Sequence, residues 1–283
     1  MAIGLALNIG LNLVDPDHYG GWSGELTACE ADAEDMAAIA KAQGLKPTKR
    51  LTKQATRAQA SRDISSAAKK LKKGDLFFLT YSGHGGQLPD LSDDEPDAQD
   101  ETWCLYDGEL IDDELYLMLG KFAKGVRILV LSDSCHSGSA VKLAFYRGTQ
   151  LEPKATTTSE GTKYRYMPPA VAQRTYRQNK DFYDKLLKDP ALKKARDAVK
   201  ASVLLISGCQ DNQLSADGDF NGLFTANLLR VWDEGRFNEG RAKRNYRSFH
   251  ETIMNRMPPE QTPNYFTTGA SNVAFEAQKP FTI

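Results

Sequence analysis

The chain has 283 residues, enough for one large domain or two small ones, with 41% hydrophobic and 26% charged residues, as in ordinary soluble globular proteins. Thirty-six Lys and Arg against 37 Asp and Glu leave a formal charge of -1, which gives no global sign of a nucleic-acid or membrane partner. The four cysteines, Cys29, Cys104, Cys135 and Cys209, are too few and too scattered for a disulfide framework or a CxxC metal pair. A reducing, cytoplasmic compartment fits that usage. No apolar run is long enough for a membrane span. Met1 to Val14 lacks a basic leader and a small-residue cleavage site, so it reads as a first strand rather than a signal peptide.

In chain order, Ile3 to Leu13 predicts a buried strand. A helix follows over about Ala28 to Gln43, with acids in its first turns, Met36, Ile39 and Ala40 on one face, and Gly44 as its stop. A short strand is expected near Lys49 to Leu51. Thr56 and Gln59 have capping-box spacing and open a helix through Ile64, Ala68 and Leu71. Leu76 to Tyr81 is an apolar strand running into Ser82-Gly83-His84-Gly85-Gly86. Asp90 to Glu101 carries seven acids and no base, followed by a β stretch over Thr102 to Leu105 and a helix from Asp112 with Leu115, Leu119 and Phe122 inward. Val126 to Leu131 is a further strand, ending in Ser132-Asp133-Ser134-Cys135-His136-Ser137-Gly138. Ser139 to Lys200 is basic and poor in apolar runs. It reads as a long, partly mobile insertion, loop over Pro153 to Pro169, with a helix over Phe182 to Val199 interrupted at Pro190. Val203 to Ser207 is a strand, Phe224 to Val231 and Tyr246 to Met257 are helices, and Tyr265-Phe266 and Val273 to Phe275 are late strands extending the same sheet. The alternation predicts an α/β fold, a mainly parallel sheet with helices on both faces. Tyr164, Tyr166, Tyr176 and Tyr183 interleave with bases, but no RNA-binding motif accompanies them, so no nucleic-acid partner is expected.

Two strands that end in reactive side chains are the chemical core of the pattern. Ligands and chemistry sit at the carboxyl ends of strands in open α/β sheets. A thiol attacks only as thiolate, and a histidine within hydrogen-bond reach takes its proton. His84 and Cys135 would meet if their strands were neighbours, and the Gly85 and Cys135 amides would then face a developing oxyanion. The implied class is acyl transfer, most simply peptide hydrolysis. The alternative is a loop histidine and a small buried cysteine. His136 points the other way from Cys135 on an extended segment and is expected to be structural. A zinc site from His84, Cys104, Cys135 and His136 lacks ligand spacing.

Tyr81-Ser82-Gly83-His84-Gly85 followed by Asp133-Ser134-Cys135-His136-Ser137-Gly138 resembles the caspase-type cysteine peptidases, in the metacaspase and prokaryotic orthocaspase branch. The likeness extends through Ala6 to Gly10, Leu26 to Asp32, Gly208 to Asp217 and Asn221 to Thr225. It implies a caspase-like three-layer αβα sandwich with a large-subunit-like part (1–138), a basic linker (139–200) and a small-subunit-like part (201–283). It also implies cleavage after Arg or Lys in an acidic pocket matched here by Cys29, Asp32, Ser82 and Asp133, with exposed Arg or Lys segments of proteins or peptides as substrates. Paired carboxylates beside a nucleophile suit a cationic side chain, although Asp32 at a helix start and Asp133 at a turn also have purely local uses. Calcium activation is implied through Asp100, Asp112 and Asp113, hard oxygen donors, against which stands Lys142, where the family offers a further aspartate. The alternative for these acids is a solvated turn with Asp112 as N-cap. Some relatives also process themselves in the linker or lodge a linker base in their own pocket. Arg147 and Lys154 lie in expected loop close after Cys135, nothing distinguishes which base would be cut, and the alternative is a solvated insertion. The expected molecule is a monomer with no membrane partner. The rival readings are a caspase-like scaffold that binds without hydrolysis and a legumain-like relative of different specificity.

Overall fold

The structure is a computed structural model that describes residues 1–89, 99–134, 163–209, 213–239 and 244–283. Six strands form the main sheet: β1 (Gly4–Gly10), β2 (Lys46–Leu51), β3 (Leu76–Ser82), β7 (Arg127–Asp133), β8 (Ser202–Ser207) and β9 (Asn264–Gly269). Their order is β2-β1-β3-β7-β8-β9, all parallel except the β8–β9 pair. A separate antiparallel sheet of β4 (Gly85–Pro89), β5 (Gln99–Leu105) and β6 (Gly108–Ile111) leaves directly from the end of β3.

Alternation along the strands builds two cores. Phe77, Leu79, Ile128 and Val130 face α2 (Arg57–Lys70) and α3 (Asp112–Leu119). Phe78, Leu129, Leu131, Leu204 and Ile206 face the other way. They pack on α1 (Cys29–Ala42), α6 (Leu223–Trp232), α7 (Tyr246–Met254) and α8 (Val273–Ala277). Because both faces are covered, the central strands read as continuous apolar runs. The Thr56 hydroxyl accepts the Gln59 N–H at 3.2 Å and opens α2 as expected, while Gly44 ends the chain out of α1 at φ +82°.

Two expectations need correcting. Val273 to Phe275 is helical, not extended. Asn272 Oδ1 accepts the Phe275 N–H at 3.0 Å, and one face suffices to bury Phe275 while Val273 stays exposed. In the linker, helices occupy α4 (Pro169–Gln178) and α5 (Lys180–Leu187), followed by two short 3-10 turns, rather than one helix over 182–199. Pro169 begins the first helix, where its missing N–H costs nothing. The described linker residues are packed: Val171, Tyr183, Leu187 and Leu192 are buried.

Candidate active site

The parallel register sets Gly10 beside Ser82 and Ser82 beside Asp133, so β1, β3 and β7 end together at the carboxyl edge of the sheet. β3 continues through Gly83 into His84, and β7 through Ser134 towards Cys135. Cys135 and His136 lie outside the described residues, as do Lys142, Arg147 and Lys154.

His84 is 2% exposed. Its own carbonyl accepts hydrogen bonds from Tyr81 Oη at 2.7 Å and from the Cys104 amide at 2.9 Å, which fixes its backbone to the small sheet. Nε2 lies 2.9 Å from the Gly24 carbonyl, a group that can only accept, so Nε2 carries the proton. The same ring packs against Trp22 at 4.7 Å between centroids. Gly24 has φ +55°, and a Cβ there would stand 2.7 Å from the Trp22 ring and 3.0 Å from His84 Cδ2. Nδ1 is buried and has no hydrogen-bond partner among the described residues. Burial pushes the imidazole down to about 4, against the opposing pull of the Gly24 carbonyl, so it is neutral at physiological pH.

Beside it, four side chains close around a fifth. Arg165 is fully buried and pairs with Asp32 Oδ2 at 2.7 Å, Asp133 Oδ2 at 2.9 Å and Asp217 Oδ1 at 2.9 Å. Ser82 Oγ accepts from Arg165 Nη1 at 2.9 Å and donates to Asp32 Oδ2 at 2.6 Å. The acids are prepared by the protein. Asp32 Oδ1 receives the Gly222 N–H at 3.1 Å and the Asn221 amide at 3.0 Å. Asp133 receives the Ser215 hydroxyl at 2.6 Å, the Thr225 hydroxyl at 2.8 Å and the Thr225 N–H at 3.2 Å. These N–H groups come from the start of α6, whose dipole favours negative charge. Asn12 Oδ1 similarly accepts the Cys29 amide at 2.9 Å and the Glu30 amide at 3.2 Å, holding the start of α1 in place beneath Asp32.

Three acids against one guanidinium leave the cluster acidic. Burial and the charge of Asp133 push Asp32 upward, while Arg165 pulls it back. Asp217 feels the same burial, but Arg165 and the Thr27 N–H and hydroxyl hold it below the usual carboxylate range. Burial works to lower Arg165, and the charges of Asp133, Asp32 and Asp217 overcome it, so the guanidinium stays charged. Burial raises the Cys29 thiol, which remains a neutral wall of the pocket.

Arg165 belongs to a strap, Lys163 to Met167, laid across the sheet end. Tyr164 bridges Ala216 antiparallel and Tyr166 bridges Gly85 parallel. The Arg165 amide donates to the Ser215 carbonyl at 3.0 Å, and its carbonyl accepts the Gly85 N–H at 3.0 Å. The Met167 amide donates to the Gly85 carbonyl at 2.7 Å. An extended segment is thus held between two backbone edges, with its cationic side chain in an acidic pocket and its carbonyl oxygen on an amide beside His84.

The structure therefore gathers His84, Gly85, Cys29, Asp32, Ser82 and Asp133 at one place. Asp100 is a buried residue of β5, and Asp112 and Asp113 are the first two residues of α3, whose N-cap position is held by Ile111 rather than Asp112, with the Ile111 N–H donating to Glu114 Oε2 at 3.2 Å. Among the described residues no three His, Cys, Asp or Glu gather as metal ligands, and the acids from Asp90 to Asp97 lie outside the described residues. Sequence reasoning missed Arg165, Asp217, Ser215 and Thr225. Asp217 stood inside a quoted motif without a role, and Arg165 was one base among many in a loop-like stretch. No helix among the described residues is long and apolar enough to cross a membrane.

A family model described as "Caspase domain" matches residues 4–275. Metacaspase-1A of Aspergillus oryzae is 30% identical over 244 residues, 78% of this chain and 57% of that protein. Metacaspase-1 of Schizosaccharomyces pombe is 36% identical over 176 residues, 56% of this chain and 41% of that protein. The chain spans about half the length of these relatives. Among solved structures, protein GSU0716 from Geobacter sulfurreducens superposes with a TM-score of 0.85 at 59% identity, covering 99% of this chain and 98% of that one.

Proposed function

The chain belongs to the caspase-domain family, and from that premise we propose that it is a cysteine endopeptidase cutting after Arg or Lys, with Cys135 as nucleophile and His84 as acid and base. The observation that carries this reading is the strap. Arg165 offers a cation to Asp32, Asp133 and Asp217 while its carbonyl oxygen accepts the Gly85 N–H. A substrate would be held the same way: side chain charge-paired, scissile carbonyl on an oxyanion donor. With Nε2–H committed to Gly24, the free lone pair of His84 is on Nδ1. Nδ1 takes the Cys135 thiol proton as sulfur attacks the carbonyl carbon. The oxygen gains charge against the Gly85 and Cys135 amides, and Nδ1 returns the proton to the departing amine. Water then hydrolyses the thioester by the same proton route. Three carboxylates speak for a cationic side chain and against a legumain-like preference for neutral Asn.

Self-processing in the linker belongs to the same reading, and the Arg165–Tyr166 bond is the candidate, since it is the one held across the site. Until the strap leaves, the pocket is closed to other substrates. The experiment compares wild type with Cys135→Ala on Arg and Lys peptide reporters, with calcium and with chelator, and maps any chain break by mass spectrometry. Hydrolysis and a break after Arg165 in wild type alone are expected. Activity lost in chelator supports calcium activation through Asp100, Asp112 and Asp113, and equal activity removes it. Equal activity in both proteins sinks the dyad.

A second reading draws on the complete burial of Arg165 (0% exposed). If it is a permanent structural staple, the protein is a closed caspase-like scaffold. Reporters left uncut by wild type under every condition would favour that scaffold.

A further inference from the structure

The pocket offers its oxygens along a guanidinium rather than at a point. Arg165 Nε and Nη2 both donate to Asp217 Oδ1, at 3.2 and 2.9 Å, and Nη2 also donates to Asp32 Oδ2 at 2.7 Å. Nη1 serves Ser82 Oγ and Asp133 Oδ2. The acids differ in what else they hold. Asp133 has Ser215 and Thr225, and Asp32 has Ser82, Asn221 and Gly222, so both keep protein donors whatever cation enters. Asp217 is pinned through Oδ2 by the Thr27 amide at 2.8 Å and hydroxyl at 3.0 Å, and among the described residues its Oδ1 receives only Arg165.

We infer that Asp217 makes this pocket select arginine over lysine, which specifies the cation of the peptidase reading and rests on it. Counting along the side chain, lysine places a methylene where arginine has Nε and its ammonium where arginine has Cζ. The ammonium still reaches the region of Asp32, Ser82 and Asp133. Oδ1 of Asp217, which accepts from both Nε and Nη2 of arginine, then exchanges two donors for a share of one ammonium that Asp32 and Asp133 also draw on, and it has no other donor among the described residues. Losing a hydrogen bond to a charged acceptor costs more than losing a neutral one. Asp217 is therefore the acid that tells the two bases apart, while Asp32 and Asp133 demand only positive charge.

Two measurements test this. In the first, made on the full chain with Cys135→Ala so that no bond is cut, Arg165→Lys is introduced alone and together with Asp217→Asn, and urea midpoints are compared. Arg165→Lys is expected to lower the midpoint, and at least half of that loss should vanish in the Asp217→Asn background. A loss of the same size in both backgrounds overturns the inference. Asp217→Ser, which adds no bulk, replaces Asp217→Asn if the latter does not fold. In the second, kcat/KM is measured on matched Arg and Lys reporters. The strap competes equally with both, so their ratio is independent of how often it leaves. One lost charge-assisted bond predicts a ratio of at least about tenfold for wild type, falling towards unity in Asp217→Asn through loss on the Arg reporter. Equal rates in wild type, or a ratio that Asp217→Asn leaves unmoved, overturn the assignment. If neither reporter is cut, the peptidase reading fails, and the stability cycle alone decides whether Asp217 discriminates.

Discussion

The imidazole of His84 spends its Nε2 proton on Gly24 and leaves Nδ1 without a partner among the described residues, and the close approach to Gly24 depends on a residue without a side chain. Its proton affinity has a consequence for stability. The folded ring titrates at about 4 because it is buried, whereas an unfolded histidine titrates near 6.5. Below pH 6.5 the unfolded chain takes up a proton that the folded chain refuses. Stability tied to His84 is thus present above that pH and lost as pH falls towards 4. The loss approaches about 3 kcal/mol as an order of magnitude. His84→Gln should flatten this stretch in urea titrations between pH 7.5 and 4.5. An unchanged slope would mean the ring is not held neutral. Gly222 gives a second test, since a Cβ there would lie 2.5 Å from Arg165 Cζ, Nη1 and Nη2. Gly222→Ala should displace the guanidinium at a cost of about 1–3 kcal/mol, read as faster proteolysis near residues 163–167. Asp32, Ser82 and Asp133 were legible through the resemblance, which matched them to the family's pocket; apolar patterning marked only the strand ends that carry Ser82 and Asp133. Arg165 was not: nothing local separates it from Arg174 or Lys163, and what buries it comes from residues 32, 82, 133 and 217, brought there by the fold.

At the scale of elements, the main sheet was readable because buried parallel strands are apolar runs. The small sheet was half hidden. β5 was found from Thr102 to Leu105, but Gly85-Gly86-Gln87-Leu88-Pro89 carries turn residues and becomes β4 only because β5 supplies its partner. Glu109 of β6 sits inside this sheet. Thr102 Oγ1 donates to its Oε2 at 2.7 Å, and Oε1 has no partner among the described residues. Burial raises the carboxyl to about 8, so the neutral form prevails at pH 7. The folded value lies above the ordinary 4.5. The stability it confers is therefore full below pH 4.5 and lost as pH rises through 8, to an order of magnitude of about 5 kcal/mol. Glu109→Gln copies the neutral acid without its titration. It should match wild type near pH 5 and exceed it at pH 9 in thermal unfolding. A variant that tracks wild type at both pH values would show that Glu109 is not buried as an acid. The β4 edge carries Gly85, so alkaline loosening of this sheet reaches the proposed oxyanion donor directly.

For the whole molecule, the strap joins parts that are far apart in the chain. Asp32 comes from α1, Asp133 from the end of β7 and Asp217 from the segment before α6, and Arg165 ties all three to the Gly85 edge. Arg165→Ala leaves three buried acids without their cation. Removing one partner of a buried pair costs about 3–5 kcal/mol at neutral pH. At pH 5 the penalty should shrink, because protonation can relieve Asp32, which burial already pushes upward. The pocket is at the same time emptied, so hydrolysis of an added Arg reporter per folded molecule should rise: a site competent only when the strap is away is slowed by the fraction of time the strap is home. The two effects run in opposite directions from one substitution, and this separates closure from mere support. Lower stability with higher activity identifies the strap as the element that closes the cleft. Lower stability with activity reduced in the remaining folded protein would mean that Arg165 holds the site together, and that an outside substrate must bind without displacing it.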